Sequence, residues 1–405
     1  MCSCFLMDVH TDVNKSPEVR LPFDRPHPLR TPPELRRLID RGPVHRVRTA
    51  VGHGAWLVTD HALVRALLDD ARLGRSHPDP DNAARTGASA LFGGPVGDPA
   101  TEDADHARMR ALLRPHFTPG RMRALRPRIA EITAGLLDGL ARRDPPADLV
   151  TALALPLPVT VICELLGVPG ADRDRFGAWA RAAADVTDRA RSEQGLADLF
   201  GYGRELVERK RSEPGDDVLS RLAATEGVSG DEAAMLAMSL LFAGYETTTA
   251  ALGLGVLLLL DRPVHWRRLR EAPDLAAPAV EEVLRAPARG SGGIPRYART
   301  DLDIAGAHVR AGDLVLLDTG AANHDPAVFT DPDRFDPARR EGAHLSFGHG
   351  ARYCIGAPLA RIELHEALTA LVSRFPGMRL AVPAEDLPLD RDVLVTGLTS
   401  LPVTW

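Results

Sequence analysis

Along most of the chain apolar residues recur every three or four positions, the period of helices that bury one face. That pattern predicts helices at about 34–40, 61–68, 103–113, 121–141, 158–166, 172–188, 195–213, 229–260, 278–285 and 357–375. Asp60 stands where a side-chain cap would start the second of these. Alternating residues at 44–48 and 56–58 predict a strand pair, and strands return only near 304–315 and in a short tail after 375. Between them, 74–99 is rich in Gly, Pro, Asp, Asn and Ser without any period, which predicts a long loop of the kind usually kept for function. The segment 325–340 is Pro-rich and irregular. The fold class expected is mainly α with small β-sheets. No internal repeat and no linker divides it, so residues 21–405 are expected to form a single domain behind a disordered leader, 1–20.

The run from Ala233 to Leu260 is long enough to span a bilayer, for which ~20 apolar residues suffice. Glu246 and three threonines interrupt it, and Asp231 and Glu232 open it, so a buried central helix is the better reading. A net charge of −6 gives no reason to expect nucleic acid or an anionic membrane as a partner. Cys2, Cys4, Cys163 and Cys354 are too few and too irregular for a disulfide framework or an iron–sulfur site, and no secretory signal opens the chain. Both points suit the cytoplasm.

The strongest chemical signal is Phe347-Gly348-His349-Gly350-Ala351-Arg352-Tyr353-Cys354-Ile355-Gly356, running directly into a helix. A thiolate needs its charge supported, and a helix N-terminus offers free N–H groups and a positive dipole end. Glycines allow a tight turn close to a sulfur and a flat cofactor. A second signal is Ala243-Gly244-Tyr245-Glu246-Thr247-Thr248, which puts a carboxylate and hydroxyls inside an apolar helix, at a desolvation cost unless they are partnered. Three weaker ones are Glu282-Val283-Leu284-Arg285, His106 with Arg110 four residues on, and Arg296 after Ile294-Pro295. No dinucleotide fingerprint or Walker motif is present, and His365-Glu366 lacks the second histidine of a zinc-protease helix.

The Cys354 loop resembles the F-x-x-G-x-R-x-C-x-G loop of the cytochromes P450, and the other motifs follow in that family's order, so the chain is similar to soluble bacterial members from about Leu21 onward. The resemblance implies heme b (iron protoporphyrin IX) held between the long central helix and the Cys354 loop, with Cys354 as its axial ligand. It implies propionate contacts from His106, Arg110, Arg296 and Arg352, and proton relay during O2 activation by Glu246 and Thr247, with Gly244 letting the helix pass close over the heme. Glu282, Arg285 and Arg334 would form a structural network. The chain would then be a monooxygenase of a bulky natural-product intermediate, fed electrons by a ferredoxin and ferredoxin reductase. The seven arginines between His106 and Arg128 would partly serve that docking. Substrate would meet 74–92, 176–200, 240–247, 291–294 and 395–398. Oxidative coupling of aromatic groups is the alternative chemistry, and a non-catalytic heme sensor or scaffold the alternative class, against which Glu246 and Thr247 speak.

Overall fold

A computed structural model describes residues 19–287 and 292–405. At its centre lies the helix Gly230–Asp261, started by Ser229, whose side chain accepts a hydrogen bond from the Glu232 amide at 3.0 Å. Apolar residues surround this helix on nearly every side, and it is correspondingly buried nearly all round. Against it pack the helices Pro156–Leu166, Arg189–Ser212, Ala276–Arg285 and Ala357–Arg374. It is long and apolar enough to cross a membrane, yet 72% of its most apolar window is buried inside the protein.

A six-stranded sheet flanks the helices, in the order Val19–Arg20, Val44–Arg48, Gly54–Val58, Leu314–Leu317, Ile294–Ala298, Leu73–Gly74. The strand pair expected at 44–58 is there and antiparallel, with Val44 opposite Val58. Asp60 does cap the next helix, accepting from the Leu63 amide at 2.8 Å. The expected leader lies outside the described residues except for Val19 and Arg20, which pair in parallel with Val47 and Arg48.

Three expectations differ. The helix predicted over 121–141 is two helices, Pro119–Ala124 and Arg126–Ala141, broken at Leu125, because Pro127 has no N–H to give to the Arg123 carbonyl one turn back and is accommodated in the first turn of a new helix. The helices Val218–Ala223 and Pro263–Glu271 were not foreseen; the first is capped by Asp217. The residue pattern did not show the strand Ile294–Ala298, in which the resemblance puts Arg296, because Pro295 argues against a strand that is paired on both sides.

Candidate functional site

The loop before the last long helix folds back on itself through backbone bonds from Gly348 N to Leu345 O (2.9 Å), Tyr353 N to Gly350 O (3.1 Å) and Cys354 N to Phe347 O (2.9 Å). Gly348 and Gly350 adopt φ of +73° and +68°, where a side chain would be strained. At Gly350 a Cβ would also lie 1.9 Å from Asp69 Oδ1, the oxygen that accepts the Ala351 amide at 3.0 Å. This turn presents Cys354 at the start of Ala357–Arg374, accessible to solvent but hemmed in by protein on most sides. Burial pushes its thiol up; the Gly356 and Ala357 amides, then Arg110 and Arg361, pull it down. Cys163, by contrast, is fully buried and its thiol is driven up to about 12.

Beside the loop, a cavity of about 790 Å³ is lined at one end by Arg75, His106, Arg296 and Arg352. Arg296 is 5% exposed and, among the described residues, its guanidinium bonds only the Pro295 carbonyl (2.8 Å); burial, then Arg75 and Arg352, lower its pKa to about 10. Arg352 donates to Glu102 Oε1 at 2.7 Å. His106 is held below its usual value by burial and by Arg352 and Arg110, which favours the neutral ring. Arg110 is not among the lining residues: it donates to the Tyr353 carbonyl at 3.0 Å, next to the cysteine. Three crowded guanidiniums with one carboxylate among them suit a ligand carrying two negative charges, and a thiol at a helix N-terminus suits an axial ligand. The residues present therefore fit heme b.

Across the cleft, Ala243 and Thr247, one turn apart, continue an exposed stripe of the central helix that begins at Asp231 and passes through Met235 and Ser239. Thr247 Oγ1 donates to the Ala243 carbonyl at 2.7 Å. Glu246 has one carboxylate oxygen with no partner, and burial raises its pKa to about 8 against the pull of Arg181; Asp390 adds to the rise. The carboxyl is thus protonated near neutrality. A Cβ at Gly244 would stand 3.2 Å from Ile162, so the glycine lets the helix Pro156–Leu166 pack close.

Behind the Cys354 loop, Glu282 and Arg285, each 2% exposed, form a two-pronged pair at 2.7 and 2.8 Å, and Arg285 also bonds the carbonyls of Asn323 and Pro332. The expected third member is corrected. Arg334 points outward to Asp336 and contributes only its carbonyl, whereas Arg339, five residues on, reaches Glu282 at 3.3 Å.

Of the predicted substrate walls, Arg75, Thr86, Gly87, Ser89 and Phe92 line the cavity, with Val186, Gly293, Ile294 and Thr396. Ser291 lies outside the described residues. No residue of 240–247 lines it, and Phe176 is in the core. Leu21–Arg25, Asp318–Gly320 and the 389–394 turn were missed, because they arrive from distant parts of the chain.

Residues 204–392 match the family model described as Cytochrome P450. Pentalenolactone synthase of Streptomyces exfoliatus is 46% identical over 396 residues, 95% of this chain and 99% of that protein. Mycinamicin IV hydroxylase/epoxidase of Micromonospora griseorubida is 42% identical over 392 residues, covering 95% and 98%. Among solved structures, the substrate-free epoxidase of the polyene macrolide pimaricin superposes with a TM-score of 0.87 at 41% identity, covering 96% of this chain and 99% of that one.

Proposed function

The chain belongs to the cytochrome P450 family, and from that footing we propose how its own residues serve the family's reaction. It is a heme b monooxygenase of natural-product biosynthesis. The observation that carries the residue assignment is the Cys354 turn: Cys354 is the thiolate ligand, its charge eased by the Gly356 and Ala357 amides. His106, Arg296 and Arg352 hold the heme carboxylates, and Arg110 braces the loop through the Tyr353 carbonyl. When bound, the heme supplies the activation of O2 and the oxidising equivalent.

The chain's part is to hold protons and position substrate. Glu246 keeps its carboxyl proton near neutral pH, and the Thr247 hydroxyl, with its own hydrogen committed to Ala243, presents an acceptor oxygen one residue away. The cavity, about 790 Å³ with its heme-facing end included, continues between Thr86, Phe92, Val186, Ile294 and Thr396, and the likeness to the mycinamicin and pimaricin enzymes supports a bulky substrate such as a macrolide.

Electrons come from a ferredoxin and its reductase in the cytoplasm. Of the seven arginines between His106 and Arg128, Arg108, Arg126 and Arg128 are paired with Glu232, Glu366 and Glu164. Arg114, Arg121 and Arg123 are exposed with no ion pair among the described residues, and we assign the docking charge to them. Lining residues drawn from Leu21 to Thr396 support reading 21–405 as one domain.

Incubation with ferredoxin, reductase and a panel of macrolactones and terpenoids under ¹⁸O₂ tests the proposal. One labelled oxygen in the product is expected; turnover without label contradicts oxygen insertion.

A further inference from the structure

Among the cations at the Cys354 end of the cavity, Arg75 is the one the sequence did not single out. It sits at the start of the loop whose later residues, Thr86 to Gly93, form part of the same cavity's wall. Two contacts fix it. Its backbone amide donates to both oxygens of the Glu102 carboxylate, at 2.8 and 3.0 Å, alongside the amide (3.0 Å) and hydroxyl of Ser76. Its guanidinium lies over the Phe92 ring, 5.1 Å from the centroid, and Phe92 in turn packs on Phe242 of the central helix. The loop's beginning and end therefore meet at this one side chain. Among the described residues the Arg75 guanidinium makes no ion pair, and it faces the positive charges of Arg352 and Arg296.

Charge decides what belongs there. Arg75, Arg296 and Arg352, with the neighbouring Arg299, bring four positive charges, and Glu102 and Asp103, which pair with Arg352 and Arg299, cancel two. Arg110 is spent on the Tyr353 carbonyl outside the cavity. Two positive charges remain, and a heme b carries two carboxylates. We propose that Arg75 is a carboxylate-binding residue of the heme site, supplied by the substrate-facing loop, so that the bound cofactor fastens that loop. This rests on the heme reading above. Glu102 is a positioning residue: it seats the loop backbone with one set of bonds and steers Arg352 with another.

The test uses full-length heme-loaded protein with Arg75→Met and Arg75→Lys. Both should fold, since the bonds to Glu102 come from the backbone amide and from Ser76. Three readouts need no substrate: heme transfer to apomyoglobin, the ferric–ferrous potential, and proteolysis within 77–91. In Arg75→Met, heme loss should be several-fold faster, the potential should fall because a nearby cation is gone, and the loop should be cut as readily as in the apoprotein. Arg75→Lys should recover the potential. Unchanged heme loss and potential in Arg75→Met would overturn the proposal, even with altered substrate affinity, since Arg75 would then serve the substrate wall alone. A wild-type protein that takes up no heme would overturn the functional reading and this inference together.

Discussion

Thr247 and Glu246 differ in what they can do. The hydroxyl hydrogen of Thr247 is engaged by Ala243, while the carboxyl of Glu246 has an oxygen without a partner and keeps its proton up to about pH 8. Proton transfer by a placed side chain is worth roughly 10²–10⁴ in rate. Thr247→Ala should therefore lower product formed per electron consumed by about tenfold or more, measured against NADH oxidation, and unchanged coupling would remove Thr247 from the relay. Glu246 faces Arg181 and Asp390. Product formation should decline above about pH 8 as its proton is lost, and Glu246→Gln should flatten that limb. Glu363, wholly buried with an unpartnered oxygen, is also raised to about 8, by burial alone. Between its usual 4.5 and about 8 the folded protein keeps a proton that the unfolded chain has released, so stability falls as pH rises across that window. The drop in Tm from pH 5 to pH 8 should shrink in Glu363→Gln. Cys354, Arg352 and Glu246 were legible from sequence because each sits in a short fixed frame. Arg75 and Glu102 were not, because their meaning arises only when the loop after Leu73 meets the start of the helix Glu102–Leu113.

For the elements, the decisive pieces are the Cys354 turn and the helix Ala276–Arg285 behind it. Gly350→Ala adds about 1–2 kcal/mol of left-handed backbone strain to a collision with Asp69. Lower Tm and poor heme retention, read by the ratio of Soret to protein absorbance, are expected. Breaking a buried ion pair by removing one partner costs about 3–5 kcal/mol. Glu282→Ala should lose about that much stability and Arg339→Ala a smaller part, whereas Arg334→Ala should be nearly silent in thermal denaturation because its side chain is exposed. A destabilised Arg334→Ala with a normal Arg339→Ala would make Arg334, and not Arg339, the third member of the network. Periodicity found the long helices, whose apolar faces meet the core. It missed the strand Ile294–Ala298, since Pro295 obeys the exception to a rule and strand pairing is decided by partners far away in sequence.

At the scale of the whole molecule, a helical core and a flanking sheet bring residues from Leu21 to Thr396 to one cavity. Order of motifs was readable along the chain; the cavity's lining was not, because only folding joins the N-terminal segment, the 318–320 turn and the 389–394 turn. The net charge of −6 makes the exposed Arg114, Arg121 and Arg123 stand out as a local positive patch. Reversing all three to glutamate should slow reduction by ferredoxin, and the wild-type rate should fall with salt, as exposed charges are screened beyond ~10 Å at 0.1 M. The expectations for coupling, heme retention and reduction all depend on Cys354 holding heme iron through its sulfur. The absorption spectrum of the dithionite-reduced protein under carbon monoxide tests that directly: a strongly red-shifted Soret band, lost in Cys354→His, is the result expected, and a band at the position of histidine ligation, or no heme band, would contradict it.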